Sequence, residues 1–325
     1  MFMLPCIYTF NYKTNYMKKL KVFAVAIVAS GILFTACKKE ENKVETPPTP
    51  TQKTIAGIAT GDTTFSILVA ALNKAGLTAT LSGTGNFTVF APTNAAFRKY
   101  DITVAEINKI SDSAEIEELK HVLLYHVLGS EVKAAQLKNA YVPTLFTVGG
   151  NGVSLKTAIA PVKLNASVNV AAADIDASNG VVHVIDDVLF PPTVVDIAIN
   201  DPLFTSLVAA VEKAELEETL ATTENLTVFA PINQAFTDIK FNLDSTTKEA
   251  LTPILTAHVL ASQVRSNQIS NGQKATALNK AVELTFNTTS GVKVSGGKTT
   301  DASVIAADIQ ATNGVVHVIN KVILP

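Results

Sequence analysis

Apolar residues return at helical spacing at two distant places in the chain. Phe65, Leu68, Val69 and Leu72 follow Asp62; Phe204, Leu207, Val208 and Val211 follow Asp201 and Pro202. Each set falls on one face of a 3.6-residue helix, with an aspartate placed to cap it. A second helical face carries Ile116, Leu119, Leu123, His126 and Val127, matched downstream by Leu251, Ile254, Leu255, His258 and Val259. Both histidines lie on the apolar face. Between these helices a "TVF" strand is halted by Ala-Pro, and Asn94 and Asn233 stand where they would cap a further helix. Beyond them the pattern becomes strand-like: "GVSLKT", "PVKLN" and "ASVNVAAADI", then "AVELTF", "GVKV" and "ASVIAADI", with an Asn-Gly turn before each last strand. Helices early and strands late predict an α+β fold.

The two halves are one pattern written twice. Placing Thr54 over Thr193 brings "FTVFAPTNAAF" over "LTVFAPINQAF" without a gap, and "ADIDASNGVVHVI" over "ADIQATNGVVHVI" further on. A period of about 135 residues is far longer than a solenoid repeat, so each copy should be a domain with its own core. The expected boundaries are 54–192 and 193–325.

Composition narrows the function. Among 325 residues, 47% are hydrophobic and 17% charged, which supports folded cores, while a net charge of -2 without a basic stripe argues against nucleic acid as a partner. Tryptophan is absent and aromatics reach only 6%, a poor basis for stacking bases or sugars. The two cysteines, Cys6 and Cys37, precede the repeats and leave them no disulfide framework or thiolate metal site.

The front end reads as an export signal. From Met17 the sequence "MKKLKVFAVAIVASGILFTAC" gives a basic start, an apolar run too short to span a bilayer comfortably, and small residues before a cysteine. "LFTAC" resembles the lipobox of bacterial lipoproteins, which implies acylation of Cys37. The expected division is a mis-assigned start over 1–16, a signal peptide over 17–36, and a lipidated cysteine with a Pro/Thr-rich tether over 37–53. "KKEE" behind Cys37 resembles a signal that sends lipoproteins to the outer leaflet of the outer membrane, or is an ordinary solvated charge run.

Each copy also offers titratable groups that could form a metal or catalytic set: His126, His183 and Asp174, then His258, His317 and Asp308. The first histidine of each copy lies on a helical core face and the second in an alternating "VVHVI", so the expectation is four structural histidines, with no catalytic residue, metal or cofactor. "GGKT" at 296–299 lies between strand-like segments and lacks the glycine a phosphate loop needs. No G-x-S-x-G or H-E-x-x-H occurs. His121, off the apolar face, is expected at the surface.

With these boxes in order in each copy, the chain resembles the fasciclin domain family over residues 54–325. The boxes are "FTVFAPTNAAF" and "LTVFAPINQAF", the Tyr125-His126 element, and "NGVVHVIDDVLFPP" and "NGVVHVINKVILP". The resemblance implies two tandem domains, each a β-wedge or sandwich flanked by helices, secreted or surface-anchored and associated with adhesion. Ala257 replaces the tyrosine in the second copy, so any role for that residue carries over only to Tyr125. The pairs Asp174-Ile175 and Asp308-Ile309 resemble an element linked to receptor binding in animal members. Candidate partner-binding residues are therefore Tyr125, His126, Asp174, Ile175, Asp308 and Ile309. The implied protein is a surface-exposed outer-membrane lipoprotein that contacts the membrane through its lipid alone and binds an envelope or extracellular protein or polysaccharide. The alternatives are a small-ligand or glycan-binding module, or an enzyme using the His/His/Asp set.

Overall fold

The structure, a computed structural model, describes residues 52–159 and 161–325. The export signal, Cys37 and most of the tether lie outside the described residues. The first copy runs through α1 (Ile55–Thr60), α2 (Ser66–Lys74), α3 (Thr78–Ser82), β1 (Phe87–Pro92), α4 (Asn94–Arg98), α5 (Val104–Lys109) and α6 (Ser113–Tyr125). Strands then dominate: β2 (Val127–Leu128), β3 (Ala140–Val148), β4 (Asn151–Ile159), β5 (Val162–Leu164), β6 (Val168–Ala177) and β7 (Gly180–Ile185).

The second copy repeats the order with α7 (Val194–Ile199), α8 (Thr205–Lys213), α9 (Glu217–Thr222), β8 (Leu226–Pro231), α10 (Asn233–Asp238) and α11 (Lys248–Ala257). It ends in β9 (Val259–Leu260), β10 (Lys274–Thr276), β11 (Glu283–Asn287), β12 (Lys293–Gly296), β13 (Thr299–Gln310) and β14 (Gly314–Ile319). The fold is α+β in two tandem units, as the pattern predicts. The counterpart of α5 is missing from the second copy.

Each copy builds one seven-stranded sheet, ordered β2-β1-β7-β6-β5-β4-β3 and, with the same topology, β9-β8-β14-β13-β12-β11-β10. In the first copy the two end strands, β2 and β3, come together, so the sheet curls toward closure. Chain order hides one feature. The first and last boxes of each copy lie side by side and parallel, with Val89 opposite Val182 and Phe90 opposite His183. Strand alternation then serves two cores. Val89, Ala91 and Val182 face the helices, whereas Phe90 and Ile185 face the interior of the curled sheet with Tyr125, Phe146 and Leu155. β3 carries no clean strand signature because Pro143 interrupts it, and the register of its pairing with β4 shifts between Pro143 and Thr147.

Two side chains expected to cap locally act at long range. Asn94 does not cap its own helix; Thr93 does, accepting from the Ala96 amide at 3.3 Å. Asn94 instead reaches back to α2, accepting from Ile67 N at 3.0 Å and donating to the Thr63 carbonyl at 2.9 Å. Asn233 does the same for α8 through Ser206 N and the Pro202 carbonyl. In the Asn-Gly turns, Asn179 is 3% exposed. It accepts from Ile55 N and donates to the Leu81 and Gly83 carbonyls, tying α1 and α3 to the sheet. The following Gly180 has φ +143°, and a Cβ there would lie 1.9 Å from the Phe87 carbonyl oxygen, so only glycine lets β7 approach β1.

Candidate functional site

The helix-borne histidines end their helices. His126 is the C-terminal cap of α6 and His258 that of α11, each 2% exposed. The Nδ1 of His126 lies 2.7 Å from the Val122 carbonyl, which can only accept, so Nδ1 carries the proton; Nε2 accepts from Leu189 N at 3.0 Å. His258 repeats this with the Ile254 carbonyl at 2.8 Å and Ile323 N at 2.8 Å. Each ring thus bolts a helix end to the segment after the last strand. Burial pushes both imidazoles down to about 4, the helix carbonyl opposing only in part, so both are neutral.

The strand-borne histidines use the other tautomer. His183 and His317, both 0% exposed, stack on Phe90 and Phe229 with centroids 5.5 Å apart. The Nε2 of His183 donates to the Val132 carbonyl at 2.9 Å and its Nδ1 accepts from Asp174 N at 3.2 Å. His317 matches it through the Val264 carbonyl at 2.8 Å and Asp308 N at 3.3 Å. In all four rings both nitrogens are occupied by backbone groups, so none offers a lone pair to a metal or a proton to a substrate. Among the described residues no group of three or more His, Cys, Asp or Glu side chains is placed to hold a metal ion.

The aspartates beside them shape backbone. Asp174 and Asp308 sit at φ 60° and 61°, at bulges of β6 and β13, a left-handed conformation that aspartate tolerates better than most residues. Their carboxylates accept from Ala134 N and Ser266 N, each at 2.8 Å, which fixes the loop after β2 and β9. Burial alone would raise the Asp308 carboxyl, but hydrogen bonds from Ser266 and the charge of Arg265 hold it below the usual range.

The six candidate partner-binding residues therefore separate. Tyr125 and His126 are 0% and 2% exposed and Ile309 is 3% exposed, so they offer nothing to a partner approaching the folded surface. The Tyr125 hydroxyl is spent inside, donating to the Ser154 carbonyl and accepting from Asn165 Nδ2, each at 3.0 Å. Asp174 remains reachable with 40% side-chain exposure, beside a half-buried Ile175, and Asp308 keeps 26%. The loss of Tyr125 at Ala257 is matched by a gain. Strand alternation puts Phe286 of the second copy where the first has Thr157, and Phe286 shares a core with Ala257 and Phe229. His121 is not a free surface residue: it is half-buried and stacks on Phe146 at 4.5 Å.

A family model for the fasciclin domain matches residues 63–191 and 202–325. The chain belongs to the fasciclin family. It is 41% identical over 144 residues to Protein sll1483 of Synechocystis sp., covering 44% of this chain and 77% of that protein. It is also 41% identical over 162 residues to the transforming growth factor-beta-induced protein ig-h3 of Sus scrofa, and 29% identical over 245 residues to human periostin. Those matches take in 50% and 74% of this chain but only 22% and 27% of the two animal proteins. Among solved structures, a FAS1 domain pair from the insect cell adhesion molecule fasciclin I matches with a TM-score of 0.43 and 19% identity, covering 79% of this chain and 92% of that one. Among the described residues no helix is long and apolar enough to cross a membrane. Fasciclin domains are found in cell-adhesion and matrix proteins.

Proposed function

We propose that the protein is a lipid-anchored adhesion or matrix-interaction protein of a bacterial cell surface, held in the outer membrane through Cys37 and catalysing no reaction. Its partner is an extracellular or envelope protein or polysaccharide, bound by both fasciclin domains. The exposed Asp174, beside the half-buried Ile175, is the retained candidate contact of the first copy, together with Asp308 in the second.

The observation that carries this reading is the junction. Pro192 closes the first copy and Thr193 caps α7 of the second, leaving no linker. The Thr312 amide returns to the Pro192 carbonyl at 2.8 Å, and Gln310 N donates to Ser154 Oγ at 3.0 Å. Two weak sites held at a fixed spacing gain roughly 10²- to 10⁴-fold in avidity, and only toward a repeated or extended partner. Filled histidine pairs support the same reading, because they remove the most obvious catalytic set.

The test is binding of the intact chain, and of fragments 54–192 and 193–325, to immobilised envelope polysaccharides and matrix proteins. Each fragment should bind markedly more weakly than the pair. Full affinity in one fragment, or no binding by the pair, overturns the reading.

A further inference from the structure

The second copy holds a cavity about twice the volume of its counterpart in the first. Beneath α7, α8 and α9, apolar side chains including Val194, Phe204, Val211, Leu220 and Val228 surround about 40 Å³, against about 20 Å³ at the equivalent place in the first copy. Two wall positions shrink between the copies, Leu72 to Val211 and Ile55 to Val194, while two grow, Ala56 to Val195 and Thr60 to Ile199. The surface follows. Val89 and Leu81 are each 4% exposed in the first copy, whereas their counterparts Val228 and Leu220 are only half-buried, so the void reaches from the helices down to strand β8. A volume of 40 Å³ admits roughly three water-sized groups, enough for an alkyl segment of about three carbons, and its walls are apolar apart from Glu217 and His258.

Charge at this place also differs between the copies. Across 212–218 the second copy has Glu212, Glu215, Glu217 and Glu218 where the first has Asn73, Gly76, Thr78 and Ala79. Glu217 lines the cavity. Burial raises its carboxyl, and the neighbouring charge of Glu212 pushes it the same way. The nearby lysines are engaged elsewhere: Lys213 donates to the Leu243 and Asp244 carbonyls, and Lys248 pairs with Glu215. Among the described residues neither Glu212 nor Glu217 is ion-paired with a cation.

We propose that this cavity binds a short alkyl chain bearing a cationic head group, with the chain between α8 and β8 and the head at Glu217 and Glu212. The apolar walls favour the chain whatever its head. The carboxylates select the sign, since an alkyl carboxylate would bring a third negative charge to a half-desolvated pair. This site is independent of macromolecular adhesion and is confined to the second domain.

The probe is n-butylammonium, titrated into the protein while the methyl signals of Val211 and Val228 are followed by NMR, with 1-butanol and butyrate as comparisons. Butylammonium should shift these signals saturably, bind at least about threefold more tightly than butanol, and outbind butyrate by more. Val211→Leu, which installs the first copy's residue, should abolish the shifts while the Leu72 signals of the first domain stay unchanged. Glu217→Gln, at a half-buried position, should bring butylammonium to the level of butanol. Absence of a saturable shift in the unmodified protein, or butyrate binding as tightly as butylammonium, overturns the proposal.

Discussion

The hydroxyl of Tyr141 donates to Oδ2 of Asp201 at 2.8 Å, joining a strand of the first domain to the opening turn of the second. Lys156, opposite Tyr141 on β4, donates to the same oxygen at 2.7 Å and lies 4.4 Å from the Tyr141 ring centroid. Oδ1 meanwhile accepts from Leu203 N, capping the turn before α8. Asp201 is 3% exposed, so its charge is held almost entirely by these partners. Its counterpart Asp62 caps the same turn of the first copy in the open, its carboxyl lowered by the Thr64 hydroxyl and amide. One capping residue has thus become a latch between domains.

Asp201→Ala should therefore strand a partly buried ammonium and phenol besides removing a cap, costing about 3 kcal/mol. Calorimetry should show one unfolding transition for the unmodified chain and two for the variant. A single unshifted transition in Asp201→Ala would show that the latch does not couple the domains.

Acid should destabilise both domains through His126 and His258. Each is held neutral at about 4 in the fold against 6.5 when unfolded, so the unfolded chain binds more protons between these values. Stability is intact above pH 6.5 and falls as pH drops toward 4, by at most roughly 3 kcal/mol per histidine. Denaturant unfolding across this range should show the decline. His126→Gln should reduce it in the first domain; an unchanged slope would contradict the assignment.

His183→Ala and His317→Ala should each cost their own domain about 1 to 3 kcal/mol, because a partly buried carbonyl and an amide lose their partners. Elemental analysis of the purified protein checks the alternative. Stoichiometric metal, lost in these variants without loss of stability, would make the rings ligands.

Cys37→Ser should leave the protein uncleaved or soluble, since acyl chains supply the membrane affinity in the proposed anchoring. Mass spectrometry and membrane fractionation decide this. An unchanged mature mass and unchanged fractionation would remove the anchor from the proposal.

The sequence by itself determined the repeat, the α+β class, the apolar-faced helices following Asp62 and Asp201, whose carboxylates cap the short 3-10 turns leading into them, and the pairing of each closing strand with an Asn-Gly turn. These are local matters: hydrophobic period, capping chemistry and turn residues act within a few positions, and a duplicated pattern reports a duplicated unit. It also placed all four histidines among apolar neighbours. Tertiary structure decided the rest. Which atoms fill the two nitrogens of His183 depends on Val132 and Asp174, which reach it only through the fold. Asn94 and Asn179 look like local caps and turns, yet their amides bridge segments 27 and 124 residues apart. The parallel contact of β1 with β7 and the burial of Tyr125 likewise arise from how the sheet curls. No sequence period encodes those contacts, because a hydrogen-bonding group reveals its type along the chain but meets its partner only in three dimensions.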